Sequence, residues 1–155
     1  MISFFVPGMP KPGGSKKAFV IGGRARIVDA CAKNKEWRAV VSLCAAEAMI
    51  GTPMFDGVPL DVSFTFYLPR PKGHFGKKGL KPNAPPFPLP KPDVLKLARS
   101  TEDACSTIVW RDDSANVTMT LRKRYVSDGA QIGCAVQIKP ELQAERISDG
   151  TQGKS

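Results

Sequence analysis

Residues 91–105, Lys91-Pro92-Asp93-Val94-Leu95-Lys96-Leu97-Ala98-Arg99-Ser100-Thr101-Glu102-Asp103-Ala104-Cys105, lead into 106–113, Ser106-Thr107-Ile108-Val109-Trp110-Arg111-Asp112-Asp113, and this stretch organises the chain. At roughly 100° per residue, Leu97, Thr101, Ala104 and Ile108 share one helical face, flanked by Val94, Ala98 and Cys105. Lys96, Ser100 and Asp103 fall roughly 280–340° round from Asp93, with Arg99 beside them at about 240°. Pro92 suits the first turn of such a helix, and the dipole favours an acid, Asp93, at its start. Asp112 and Asp113 then sit in a loop that the same helix can return beside Asp93.

Carboxylates about 4 Å apart repel by roughly 1 kcal/mol in water and roughly 4 kcal/mol near a protein surface. Mg²⁺ relieves such repulsion, usually with one or two carboxylates plus substrate phosphates. From residue types alone two readings stay open. Asp93, Asp112 and Asp113 hold a metal, or Asp93 is a favourable first-turn acid and Asp112-Asp113 a solvated turn.

Composition narrows the partner. A chain of 155 residues with 42% apolar residues suits one globular domain. Its formal charge is +9 and its pI about 9.6, which points to a polyanion. Nucleic acid accounts for acids embedded in a basic surface; an acidic lipid surface does not. No run approaches a membrane span and no signal-like leader opens the sequence, so a cytoplasmic protein is expected. Cys31, Cys44, Cys105 and Cys134 lack paired spacing and there is one histidine, which argues for reduced, buried thiols and against zinc.

Around this core, Ile2 to Val6 reads as a buried strand halted by Pro7-Gly8. Residues 7–17 carry Lys11, Lys16 and Lys17 and read either as a surface loop or as a phosphate-contacting arm whose glycines allow close approach. Ala18–Ile21 and Ala25–Val28 flank Gly22-Gly23-Arg24 as a hairpin. A helix is expected from Asn34 to Ile50, with Trp37, Val40, Val41, Cys44 and Ala48 inward and Ser42 on the solvent side. Val58 to Leu68 alternates, setting Leu60, Val62, Phe64 and Phe66 on one face.

Residues 69–92 hold eight prolines and five lysines without periodicity, which excludes a central strand or helix. A basic flap is expected there, with Lys72, His74, Lys77, Lys78 and Lys91 as phosphate contacts and Phe75 and Phe87 as stacking groups. Residues 115–125 and 131–138 predict two antiparallel strands extending the sheet, with Arg122, Lys123 and Arg124 as a solvated edge or a DNA contact. Residues 141–155 form a polar tail, expected to be disordered, after a domain at 1–140. The architecture predicted is a single α+β domain, a mostly antiparallel sheet packed by two helices.

The run 91–99, then Glu102-Asp103-Ala104, then Ile108-Val109-Trp110-Arg111-Asp112-Asp113-Ser114, resembles the RusA-type Holliday junction resolvases, whose pattern is roughly K-P-D-x-D-N-L-x-K, D-A-L, W-x-D-D-[AS]-Q. The likeness spans about residues 1–140 and is strongest over 91–125. It implies a homodimeric, metal-dependent endonuclease of four-way DNA junctions, with Mg²⁺ (or Mn²⁺) as cofactor. By position, Asp93 and Asp113 match the catalytic acids and Arg99 the family's lysine; Asp112 and Asp103 also fall on motif positions. Leu95 stands where the family's second acid is found, and Arg99 replaces a compact ammonium by a planar fork.

The activity this implies is phosphodiester hydrolysis, with Asp93, Asp113 and Asp112 on the metal and Arg99 or Lys96 complementing transition-state charge. A junction- or duplex-binding protein that has lost cleavage through Leu95 is the alternative. A single-strand-binding module using Phe75 and Phe87 is a third reading.

Overall fold

The computed structural model describes residues 1–13, 16–29 and 34–142. The tail expected beyond 141 therefore lies, from 143 on, outside the described residues. In chain order the elements are β1 (Ile2–Pro7), β2 (Lys16–Ile21), β3 (Arg24–Asp29), α1 (Asn34–Ala48), β4 (Leu60–Leu68), β5 (Phe75–Gly76), β6 (Gly79–Leu80), α2 (Val94–Cys105), β7 (Asn116–Tyr125) and β8 (Gly133–Pro140).

The alternating strand β4 sits inside a four-stranded sheet of order β1-β8-β4-β7. Its Leu60, Val62, Phe64 and Phe66 are fully buried, as their period-2 spacing predicts. Antiparallel β8 pairs Ile138, Val136 and Cys134 with Val62, Phe64 and Phe66, so both strands present one apolar face. Trp37 and Val41 of α1 and Leu97, Ala98 and Cys105 of α2 join the same core. This is the α+β domain expected, with two helices on a sheet whose β1–β8 and β8–β4 pairings are antiparallel.

Three expectations need correcting. First, β7 and β8 do not extend the sheet as antiparallel neighbours: they flank β4, and β7 runs parallel to it. A parallel neighbour requires a long crossover, and the proline-rich segment plus α2 supply it. Second, β1 is an edge strand and is not buried throughout; of its residues only Val6 is fully covered. Third, the flap is not wholly irregular. Lys72–His74 make a single 3-10 turn, and β5 and β6 form a small hairpin after it.

The hairpin β2–β3 forms around Gly22-Gly23, both with positive φ. Cys105 and Cys134 are free and buried, Cys44 is half-buried, and Cys31 lies outside the described residues. Burial pushes the Cys105 thiol up to about 12, so it stays protonated and unreactive.

The two helices are joined by polar contacts. Trp37 Nε1 donates to Thr101 Oγ1 at 3.2 Å, Ser42 Oγ donates to the Ala104 carbonyl at 2.9 Å, and Ser100 Oγ bonds Asn34 Oδ1. Ser100 is thus fully buried, although it shares its side of the helical wheel with Lys96 and Asp103, and Ser42 is half-buried rather than exposed. The loop after β1 closes over this junction. Gly13 donates its N–H to the Lys96 carbonyl at 2.9 Å, and a Cβ there would stand 3.1 Å from Ser100 Cβ and 3.3 Å from Asn34 Nδ2. The close approach that its glycine permits is to α2, not to a phosphate. Gly13→Ala should therefore overpack the junction and destabilise the protein by about 1–3 kcal/mol. Urea denaturation with an unchanged m-value checks this; an unaltered midpoint would contradict the packing.

Candidate functional site

Asp93 does more than sit favourably in a first turn: it is the N-cap of α2. Its Oδ1 accepts from the Leu95 N–H at 2.8 Å and the Lys96 N–H at 3.2 Å. The other carboxylate oxygen makes no hydrogen bond among the described residues. Asp93, Leu95, Lys96 and Arg99 are all solvent-exposed. Leu95 is 66% exposed, an apolar side chain in water at the position of the expected second acid.

Asp93 lines a groove of about 1050 Å³ between the loop after β1, the proline-rich segment, the head of α2 and the end of β7. Six cations line it, Lys11, Lys91, Lys96, Arg122, Lys123 and Arg124, against the single acid Asp93. The ion pairs among the described residues, Arg111–Asp56 and Lys139–Asp61, lie elsewhere. Hence no ion pair among the described residues neutralises the groove's positive charge. Lys123 has a structural task as well, donating to the Pro90 and Pro92 carbonyls at 2.9 Å each.

The second set of acids is positioned by the turn after α2. Thr107 adopts φ of 67°, a strained conformation for a β-branched residue, and donates its N–H to the Trp110 carbonyl at 2.7 Å. Trp110 is fully buried and donates Nε1 to Ser106 Oγ. Backbone bonds from Phe55 to Val109 and from Arg111 back to Phe55 strap the turn down. Asp112 then caps a 3-10 turn, Asp113–Ala115, its Oδ1 accepting the Ser114 N–H at 2.8 Å. The Ser114 hydroxyl, and then its amide, hold the Asp112 carboxyl below its ordinary value.

Glu102 was not singled out as a site residue by sequence reasoning, yet it lies near Asp113. Burial pushes its carboxyl up, the Asn116 amide donating at 2.8 Å partly offsets this, and the negative charges of Asp113 and Asp103 push it up further. Since β7 starts beside the far end of α2 and runs back along it, Glu102 meets Asn116. That topology was the missing signal.

The structure thus brings Asp93 together with Lys11, Lys91 and Lys96, and Asp113 together with Asp112 and Glu102. Among the described residues no group of three His, Cys, Asp or Glu side chains is placed to hold one ion, so Asp93, Asp112 and Asp113 do not form a ready three-carboxylate cage. The donors nevertheless suit a hard divalent cation. They are all oxygen, Asn116 Oδ1 is buried without a partner, and Glu102 and Asp113 lie close enough to repel. Mg²⁺ commonly takes only one or two carboxylates and leaves the rest of its shell to water and phosphate. Of the remaining expected DNA contacts, Lys72, His74, Lys77 and Lys78 lie on the flap outside the groove lining. His74 is taken up in holding the flap, with its ring edge-on to Tyr125 and its Nδ1 3.4 Å from Arg70 Nη1. For Lys16 and Lys17 the backbone alone is described, at the start of β2.

Fold and site together define a small α+β domain that sets an exposed carboxylate in a basic groove. The chain belongs to the RusA endodeoxyribonuclease family, whose profile, "Endodeoxyribonuclease RusA", matches residues 7–139. It is also similar to "Uncharacterized protein YqaN" of Bacillus subtilis (strain 168), 30% identical over 127 residues that cover 80% of this chain and 87% of that one.

Glu102 supplies a test of the acidic cluster. A carboxyl raised in the folded state above its ordinary value of 4.5 binds its proton more tightly there than in the unfolded chain. Its contribution therefore favours folding most below that value and is lost as pH rises through the raised pKa. Glu102→Gln, which keeps the acceptor for Asn116, should raise Tm at pH 7, with the gain shrinking as pH falls through the raised pKa and gone below about 4.5. A gain that persists unchanged in acid would mean that charge is not the cause.

Proposed function

We propose that this chain is a divalent-metal-dependent endodeoxyribonuclease acting on branched DNA, with the four-way junction as substrate. The observation that carries the proposal is the exposed carboxylate of Asp93 in a groove of unneutralised cations, in a chain of the RusA endodeoxyribonuclease family. Residues 1–140 form the nuclease domain, working in the cytoplasm as a homodimer. Two-fold symmetry places one site at each of two strands of like polarity in the junction. Among the described residues no helix is long and apolar enough to cross a membrane.

Asp112 and Asp113 on their turn, with the unbonded oxygen of Asp93, would hold Mg²⁺ or Mn²⁺. When bound, the ion supplies an activated water and a positive charge on the scissile phosphate. The chain's own residues do the rest. Lys11, Lys91 and Lys96 align the backbone of the DNA in the groove, and Lys96 and Arg99 complement the charge that develops on the phosphoryl oxygens. The exposed lysines of the flap, Lys72, Lys77 and Lys78, reach for more distant phosphates, and Lys16 and Lys17 at the start of β2 are assigned to the same contacts.

A synthetic four-way junction with Mg²⁺ should yield paired symmetric nicks. Asp93→Asn and Asp113→Asn should each abolish them while largely preserving junction binding; near wild-type cutting by either variant would show the acids misassigned. If the basic surface contacts about six phosphates, the log–log slope of affinity against salt is roughly −5. A salt-insensitive affinity contradicts that surface.

The exposed Leu95 favours one second reading, a junction binder that has lost cleavage. We assign the missing acid's share to Asp112, so that Asp112→Asn removes most of the metal-dependent rate and Leu95→Asp leaves it equal or higher. A harmless Asp112→Asn in a protein that cuts removes the compensation. An inert wild type switched on by Leu95→Asp establishes the binder.

A further inference from the structure

Phe87 is 51% exposed in the groove wall and is held there rather than left loose. The segment carrying it is anchored at both ends. Arg70 donates to the Pro85 carbonyl at 2.8 Å while its guanidinium lies 4.4 Å over the Tyr125 ring, and Lys123 binds the Pro90 and Pro92 carbonyls. Between the anchors Pro88 is buried and the Leu89 N–H closes on the Phe87 carbonyl at 3.0 Å. Prolines fix φ along this run, so the ring cannot easily fold back into the core.

The Arg124 guanidinium lies 5.1 Å from the Phe87 ring centroid, held by its bond to the Lys123 carbonyl at 3.0 Å. Ring and guanidinium thus make a ready stack inside a cationic groove. Beside it, under the flap, opens a recess of about 200 Å³ walled by Pro69, Pro71, Pro88 and Tyr125. The groove has the size of a small-ligand site, which suits a stretch of single strand and not a double helix. Unpaired bases are recognised by aromatic and arginine planes, with lysines along the backbone.

We propose that the groove takes an unpaired nucleotide exposed at the branch point. Its base stacks on the Phe87–Arg124 pair, and its flanking phosphates lie on Lys11, Lys96 and Arg122. The inference rests on the reading of the groove as a DNA path, and it makes base unstacking part of how branched DNA is told from duplex.

The test compares a duplex carrying a short single-stranded gap, with 2-aminopurine in the gap, against the same duplex fully paired. Wild type should bind the gapped form about tenfold tighter, the size of one base-stacking contact, and change the 2-aminopurine emission. Phe87→Leu should lose both effects while keeping wild-type Tm and affinity for the paired duplex, and Phe87→Tyr should retain both. Equal affinity for the two duplexes with unchanged emission, or an undiminished gap preference in Phe87→Leu, would overturn the proposal. Junction nicking on the same preparations separates the two ideas. Cleavage without gap preference removes the base site alone, whereas gap preference without cleavage supports the base site and removes the nuclease.

Discussion

The polar seam between α1 and α2 is the constraint on which the site depends. Asn34, Trp37 and Ser42 on one helix meet Ser100, Thr101 and the Ala104 carbonyl on the other. Each such bond is worth only about 1 kcal/mol net, but a buried partner left alone costs about 1–3 kcal/mol. The seam therefore discriminates strongly against any other rotation or slide of α2. With that register set, the apolar stripe of α2 lies on the sheet and Asp93, Lys96 and Arg99 are left facing solvent. Gly13 then fits against Ser100 and brings the loop carrying Lys11 to the same end of the helix.

Charge is distributed along α2 with consequences for chemistry. Its head presents an acid whose capping bonds spend one oxygen, surrounded by cations that form no ion pair among the described residues. Toward its other end, Glu102 lies near Asp113, with Asp103 also contributing negative charge. Phosphate is attracted to the first region and a cation to the second. A nuclease needs both, since the metal must be drawn to acids while the polyanion is held by bases. Among the described residues no three-carboxylate cage is preformed, so the metal site proposed above would be completed only with its DNA.

Much of this was legible before the structure. The period of β4 and the apolar stripe of α2 are local patterns, and Leu60, Val62, Phe64, Phe66, Leu97 and Ala104 are buried where those patterns place them. The motif residues that marked Asp93, Asp112 and Asp113 lie on the elements expected to carry them. What periodicity could not reveal is partnership. Nothing local pairs Ser100 with Asn34, and the alternation of 116–125 is the same whether that strand runs parallel or antiparallel to β4. Because β7 runs parallel to β4 and back along α2, Glu102 is set against Asn116 and Lys123 against Pro92. Those contacts are products of topology, and no window of sequence contains them.

Leu95 brings fold and chemistry apart in a useful way. It lies in the first turn of α2, its N–H is spent on the Asp93 cap, and its side chain points mostly into water. Nothing in the packing asks for leucine there, and the helix dipole favours an acid in a first turn. So its apolar character is not explained by stability. The exposed apolar surface beside Asp93 offers no oxygen to a cation from that side, so the metal site proposed above would draw its remaining carboxylate oxygen from the turn at Asp112-Asp113. That turn is held by the strained Thr107, the buried Trp110 and the strap to Phe55, which fix its position independently of α2's first turn. A change at residue 95 can therefore alter the electrostatics of the site while leaving the placement of its other acids untouched.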